Sequence, residues 1–183
     1  IPVHTGSKRL PKKILMEIAG KPMLVHTVQQ VAKAKKIDEI WIATTKNKED
    51  DPIIELCKTI PDVQWLRGDE TDIISRIKGV IGKTHAEIIV DCDGEDVKID
   101  PRLIDKAVEI IELGYPSISF GHIAQGLGPA VAFTRDKLNE VYSKNKINSD
   151  YRWGELFKDT KSYSIDTQAD FDRVKELIEK NGL

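Results

Sequence analysis

The residues best equipped for chemistry gather in the opening stretch, residues 1–13. A short apolar run there leads into Gly6, Ser7 and the cations Lys8, Arg9, Lys12 and Lys13. Backbone N–H groups, a hydroxyl and several cations on one loop suit a polyanion such as a triphosphate. The spacing is neither G-x-x-x-x-G-K-[ST] nor G-x-G-x-x-G, and a solvated basic loop would share the composition. A second group, Asp91, Asp93, Glu95 and Asp96, follows the apolar residues 88–90. Mg²⁺ takes one or two carboxylates together with waters and phosphate oxygens, so this cluster suits it; an acidic solvated turn is the alternative. Thr44 and Thr45 end another apolar run. Their hydroxyls both donate and accept, so they could read a pyrimidine edge or simply make a turn before a helix. Arg67 and Gly68 close a fourth run.

Strands must carry these groups to a common edge, and the pattern supplies them. Short apolar runs at residues 1–3, 40–43, 63–66, 86–92, 117–120, 130–133 and 163–165 read as strands. Between them, helical spacing joins Leu24, Val28 and Val31, then Ile53, Ile54 and Cys57, then Ile73, Ile74, Ile77 and Ile81. Asp51-Pro52 and Asp100-Pro101 give helix starts, Gly114 a stop, and residues 137–142 a short helix. Thr167-Gln-Ala-Asp170 opens a last helix that ends at Asn181-Gly182. Such alternation predicts a three-layer, Rossmann-like α/β fold around a mostly parallel, doubly wound sheet, with residues 1–183 as a single domain. Ligands of these sheets bind at the carboxyl ends of the strands, where the basic loop, Thr44, Thr45, Arg67 and the acidic cluster all fall.

Composition narrows the class. A net charge of −2 gives no support to a nucleic-acid partner. Cys57 and Cys92 have neither metal nor redox spacing and read as buried reduced thiols of a cytoplasmic protein. No apolar run reaches the length of a membrane span, so no membrane partner is expected.

The run Ser7-Lys-Arg9-Leu-Pro11-Lys-Lys13, then Leu15-Met-Glu-Ile-Ala-Gly20-Lys-Pro22, resembles the opening of the sugar-acid cytidylyltransferases. These include the CMP-sialic acid and CMP-Kdo synthetases, and the likeness extends to relatives in spore-coat polysaccharide synthesis. Arg67-Gly68-Asp-Glu70-Thr-Asp72-Ile-Ile-Ser-Arg76 and Ser164-Ile165-Asp166-Thr167-Gln168-Ala169-Asp170-Phe171 resemble two further signatures of that family. The resemblance implies a nucleotide-diphospho-sugar transferase-like fold. It also implies transfer of CMP from CTP to a sugar acid or related polysaccharide precursor, with pyrophosphate released and Mg²⁺ as cofactor.

Residue by residue, it places Ser7, Arg9 and Lys13 on the phosphates, with Arg9 and Lys13 also in catalysis, and Thr5 and Gly6 of the same loop are candidate nucleotide-binding residues. Thr44, Thr45, Arg67 and Gly68 fall near the nucleotide, and Glu95 and Asp166 on the metal, with Asp93 an alternative carboxylate from the same acidic cluster. A homodimer is the assembly the family suggests. His4 stands where the family usually has arginine, Lys12 where it often has glycine, and Glu95 where it has a metal-binding aspartate. Gln125, Gly128 and Ala130 replace charged residues. A catalytically impaired nucleotide- or sugar-nucleotide-binding homologue, or a transferase for another triphosphate, is therefore the alternative. Two carboxylates facing a triphosphate repel it unless Mg²⁺ intervenes, so nucleotide affinity should rise with Mg²⁺. In Asp166→Asn that dependence should vanish while the fold survives, because Asn still caps a helix. Nucleotide titrations with and without Mg²⁺ check this; equal dependence in both proteins would make Asp166 a structural residue.

Overall fold

The computed structural model describes residues 1–7, 10–119, 128, 131–144 and 163–164. Residues 1–3 run beside a later strand: Val3 donates to the Ala43 carbonyl at 3.1 Å and Ala43 to the Ile1 carbonyl at 3.0 Å. Together they form one parallel bridge, between Pro2 and Ala43. A hairpin then joins β1 (Glu17–Ile18) to β2 (Lys21–Pro22), Glu17 lying opposite Pro22. Its turn residues Ala19 and Gly20 have φ of 49° and 76°, the two positive values a primed turn requires. Periodicity could not announce arms of two residues, and alanine is an unusual first turn residue, so the pattern reading missed this hairpin.

Helix α1 (Met23–Val31) starts just after Pro22, which caps it rather than opening it. Strand β3 (Ile40–Thr45), helix α2 (Asp51–Cys57) and strand β4 (Val63–Gly68) follow. Next come α3 (Ile73–Thr84), β5 (Ile88–Asp91) and α4 (Pro101–Glu112). The described part closes with β6 (Ser117–Ser119), β7 (Val131–Thr134), α5 (Arg135–Lys144) and β8 (Tyr163–Ser164). Two helix starts are set by short side-chain caps. Asp72 accepts from the Ser75 N–H at 2.8 Å, and Asp100, ahead of Pro101, accepts from the Arg102 N–H at 2.9 Å. The predicted closing helix lies outside the described residues.

Strands β3 and β4 pair in parallel from Ile40 opposite Val63 to Thr45 opposite Gly68. In the second group the order is β5-β7-β6-β8, with β6 and β8 parallel and β7 antiparallel to both β5 and β6. Helices cover both faces. Ala107, Ile110 and Ile111 of α4 meet Ile118 and Ala132, whereas Ile74, Ile77 and Ile81 of α3, with Leu138 and Val141 of α5, meet Val131 and Phe133. This is the expected three-layer α/β arrangement. A shared cluster of Val31, Cys92, Ile99 and Ile104, flanked by Ile1, Ile40 and Val90, joins the two strand groups. Both thiols are buried, and burial pushes Cys57 up to about 11 and Cys92 to about 12. None of the described helices is long and apolar enough to cross a membrane.

Close approach of the loop after β5 to residues 1–3 sets the shape of the strand ends. A methyl group at Gly94 would lie 2.3 Å from Val3 Cγ1, and the Gly94 carbonyl accepts from the Thr27 hydroxyl at 2.9 Å. Gly94→Ala should therefore cost about 1–3 kcal/mol through overpacking. Gly82, in α3 with nothing near its absent methyl, provides the contrast: Gly82→Ala should stabilise by about 0.5–1 kcal/mol. Urea unfolding of the two variants checks both signs.

Candidate functional site

The carboxyl ends of residues 1–3, β3, β4 and β5 lie along one edge, and each delivers polar residues there. Thr5 follows the first stretch and is buried. Its N–H and its hydroxyl both donate to Asp50 Oδ1, each at 2.7 Å. Thr45, at the end of β3, donates its hydroxyl to the other oxygen, Asp50 Oδ2. Asp50 precedes α2 but makes no side-chain cap to it, because its carboxylate is spent on these threonines. Burial opposes ionisation of Asp50; the Thr45 hydroxyl and the Thr5 hydroxyl and N–H outweigh it and hold the carboxyl below its ordinary 3.8.

Arg67 braces the same loop from β4. Its Nε donates to the Thr45 carbonyl at 2.8 Å, its Nη2 to the Asn47 carbonyl at 2.6 Å, and its Nη1 pairs with Asp51 at 2.6 Å. Thr5, Thr45 and Arg67 thus spend the polar groups described here on holding the strand-end loops in place. Thr44 is fully buried and its hydroxyl oxygen has no hydrogen-bond partner among the described residues. Gly68 lies against the Arg76 side chain.

Beyond Thr5 the loop stays open. Gly6 and Ser7 are not buried; the Gly6 N–H donates to His4 Nδ1 at 3.1 Å, and the Leu10 N–H meets Ser7 Oγ at 3.4 Å. The loop returns through a Lys12 N–H donated to the Thr5 carbonyl at 2.9 Å, with Lys12 in the left-handed region at φ 58°. That φ suits the glycine the family often has there and strains a lysine. Lys13 then forms an ion pair with Glu95, across the edge from the β5 side. Arg9 and Asp166, expected beside these groups, lie outside the described residues, as do Gln125 and Ala130.

The acidic loop behaves as a site short of positive charge. Burial pushes Asp91 up to about 7, with Asp93 adding to the rise and Arg76 opposing it. Burial also raises Asp93, and burial with the field of Asp93 pushes Asp96 up to about 6. Asp91 Oδ2 is enclosed without a hydrogen-bond partner among the described residues. Among the described residues no three carboxylate, histidine or cysteine side chains converge as a closed metal site. An open set with uncompensated negative charge fits a hard cation that keeps its waters and shares phosphate oxygens. Two contributors escaped the sequence reading: Asp50, which it did not single out, and Arg76, which it quoted only within a signature.

An α/β fold that sets an open cationic loop against an acidic loop at its strand ends defines a nucleotide-handling class. The cytidylyltransferase family model matches residues 1–182. The chain belongs to the cytidylyltransferase family. It is 34% identical over 147 residues to an uncharacterized protein of Methanocaldococcus jannaschii, covering 80% of this chain and 60% of that one. It is 34% identical over 109 residues to the 3-deoxy-manno-octulosonate cytidylyltransferase of Geobacter sulfurreducens, covering 59% of this chain and 42% of the relative. The chain thus spans roughly half the length of these relatives. Among solved structures, a cytidylyltransferase from Leptospira borgpetersenii superposes with a TM-score of 0.74 at 24% identity, over 80% of this chain and 63% of that one. A CMP:2-keto-3-deoxy-manno-octonic acid synthetase complexed with CTP superposes with a TM-score of 0.68 at 17% identity, over 98% and 97% of the two chains. Cytidylyltransferases of this kind generally use a divalent metal.

The Asp50 network carries a pH signature. Its folded carboxyl titrates below the unfolded value of 3.8, so its contribution is present above that value and lost as pH falls through the folded one. Urea midpoints measured from about pH 5 down to about pH 3 should fall in the native protein and fall less in Asp50→Asn.

Proposed function

We propose that the chain transfers CMP from CTP to a sugar acid or related polysaccharide precursor, releasing pyrophosphate. The observation that carries this reading is the meeting of Lys13 with Glu95, which sets the basic loop directly against the acidic one. In the reaction an acceptor hydroxyl attacks the α-phosphorus and gives its proton to water, the bond to the bridging oxygen breaks, and pyrophosphate leaves with the charge. Such transfer asks the protein for positioning and for cations on the phosphates, with little covalent chemistry. Lys13 and Arg9 neutralise the departing pyrophosphate in this scheme, and the Gly6 N–H and Ser7 hydroxyl hold it. Thr44 and Gly68 flank the nucleotide, and Thr5, Thr45 and Arg67 fix the loops that contact it.

Mg²⁺ is the proposed metal, held by Asp93, Glu95 and Asp166, and when bound it neutralises phosphate charge. The Lys13–Glu95 pair then has to part, Lys13 moving to phosphate and Glu95 to the ion. A sugar acid as acceptor, a homodimer and a cytoplasmic location complete the proposal; buried thiols raised above the usual range agree with the last. The second reading, a nucleotide-binding homologue without turnover, is favoured by one feature. Glu95, at the family's metal-binding position, is already engaged by Lys13.

Pyrophosphate release from CTP, UTP, GTP and ATP with 3-deoxy-manno-octulosonate and with alditol phosphates separates the readings. Turnover with CTP and the sugar acid is expected. Binding without turnover would favour the second reading, and turnover only with another triphosphate would reassign the nucleotide. Lys13→Ala should weaken CTP binding by about 1–3 kcal/mol, the worth of a charge-assisted contact, with little change in melting temperature. Calorimetric titration giving native affinity for that variant would remove Lys13 from the phosphate site.

A further inference from the structure

The proposed reaction asks the Gly6 N–H to hold pyrophosphate, yet that N–H already has a partner. It donates to His4 Nδ1 at 3.1 Å, two residues back along the same loop. Glycine lets the ring lie this close, since an added methyl would stand 3.0 Å from His4 Nδ1 and 3.5 Å from its Cε1. The backbone on both sides of His4 is fixed. Val3 is buried and donates its N–H to the Ala43 carbonyl, and Thr5 is buried and donates its N–H to Asp50. His4 and Gly6 themselves are exposed, so solvent reaches the pair.

The bond also fixes a tautomer. A ring nitrogen accepts a hydrogen bond only while it carries no proton, so this contact belongs to neutral His4 with its proton on Nε2. Imidazolium carries N–H groups on both nitrogens, and one N–H facing another makes no bond. Protonation therefore frees the Gly6 N–H and places a cation beside it. Both changes favour a polyanion on this loop. The charged groups around the ring come from two stretches. Asp50, ahead of α2, feels it: burial raises the Asp50 pKa, the Thr45 and Thr5 donors lower it, and the His4 charge lowers it further. Lys12 returns past Thr5 through its N–H bond to the Thr5 carbonyl, and Lys8 and Arg9 of the same loop lie outside the described residues.

We propose that His4 is a proton-gated latch on the phosphate loop. Neutral, it occupies the Gly6 N–H; protonated from solvent, it releases that N–H and offers its own to the triphosphate. By linkage, triphosphate binding then takes up a proton, and affinity rises as pH falls through the His4 midpoint. The proposal rests on the nucleotide reading for its ligand, whereas the latch itself can be tested in the ligand-free protein.

His4 is exposed, so His4→Ala and His4→Gln should fold as the native protein does. In the ligand-free protein, nitrogen NMR of the His4 ring should find the neutral form protonated on Nε2. Above the His4 midpoint the Gly6 amide should exchange about threefold to tenfold more slowly in the native protein than in His4→Ala, and below it at the same rate. A neutral ring protonated on Nδ1, or Gly6 exchange that never differs from that of His4→Ala, would overturn the proposal. Calorimetric titration of CTP above the midpoint, in buffers of different ionisation enthalpy, is the second arm. The native protein should take up more protons per CTP than His4→Gln, by up to about one, and protons released by CTP itself cancel between the two. Native affinity should rise about tenfold as pH crosses the midpoint downward, against less than about threefold in His4→Gln. Equal proton uptake in the two proteins would overturn the role of His4 toward phosphate. Failure of CTP to bind either protein would sink the nucleotide reading and the phosphate half with it, leaving the latch to be decided by the ligand-free exchange.

Discussion

One carboxylate ties the strand-end edge together. Asp50 receives Thr5 on one oxygen and Thr45 on the other, so two neighbouring strand ends are fastened to a single side chain. Arg67 fixes the intervening loop from the opposite side through the Thr45 and Asn47 carbonyls and Asp51. Each bond alone is worth about 1 kcal/mol, yet breaking one leaves a buried group unmade and costs more than the bond contributed. The open part of the first loop therefore hangs from a rigid root. Gly6 and Ser7 lie outside the core while Thr5 is buried within it.

The fold was legible where periodicity and caps agreed. Asp72 and Asp100 stand where short acidic caps belong, Gly114 stops α4 at φ 98°, and the Ile73, Ile74, Ile77 and Ile81 stripe faces the core. At the strand-end edge, Lys13 of the basic loop does meet Glu95 of the acidic loop. What could not be read was which polar residues face outward. Thr45 has the chemistry to read a base and Thr5 lies on the basic loop, but in the fold both buried hydroxyls donate to Asp50. Arg76 left a signal that went unused. It lies three residues after Ile73 and one before Ile77, on the inward stripe, where a charge has to be explained.

The two loops also explain each other's electrostatics. Burial raises Asp91, Asp93 and Asp96, and Lys13 lowers the last two. Lys13 is thus shared, paired with Glu95 and felt by Asp93 and Asp96. Lys13, with Arg76 felt by Asp91, does not offset four carboxylates, and the remainder is what a divalent ion would neutralise. Proximity of like charges is tolerable only because the cluster sits at the strand ends, where water and counter-ions reach part of it.

On the proposed reading, with Lys13 toward phosphate and Glu95 toward the metal, this arrangement would order the events of binding. Lys13 cannot turn fully to a phosphate while Glu95 holds it, and Glu95 cannot turn to a metal while Lys13 holds it. A triphosphate arriving without a cation would strand Glu95 beside new negative charge; a cation arriving alone would strand Lys13 beside new positive charge. Arrival of both leaves neither unpaired. Phosphate and metal would then be coupled through an ion pair that both have to break, and the coupling would act equally on each, as linkage requires. The family's aspartate at position 95 is one methylene shorter than the glutamate found here. Glu95 is the side chain that Lys13 engages, so the residue that departs from the likeness is also the acidic half of this pair.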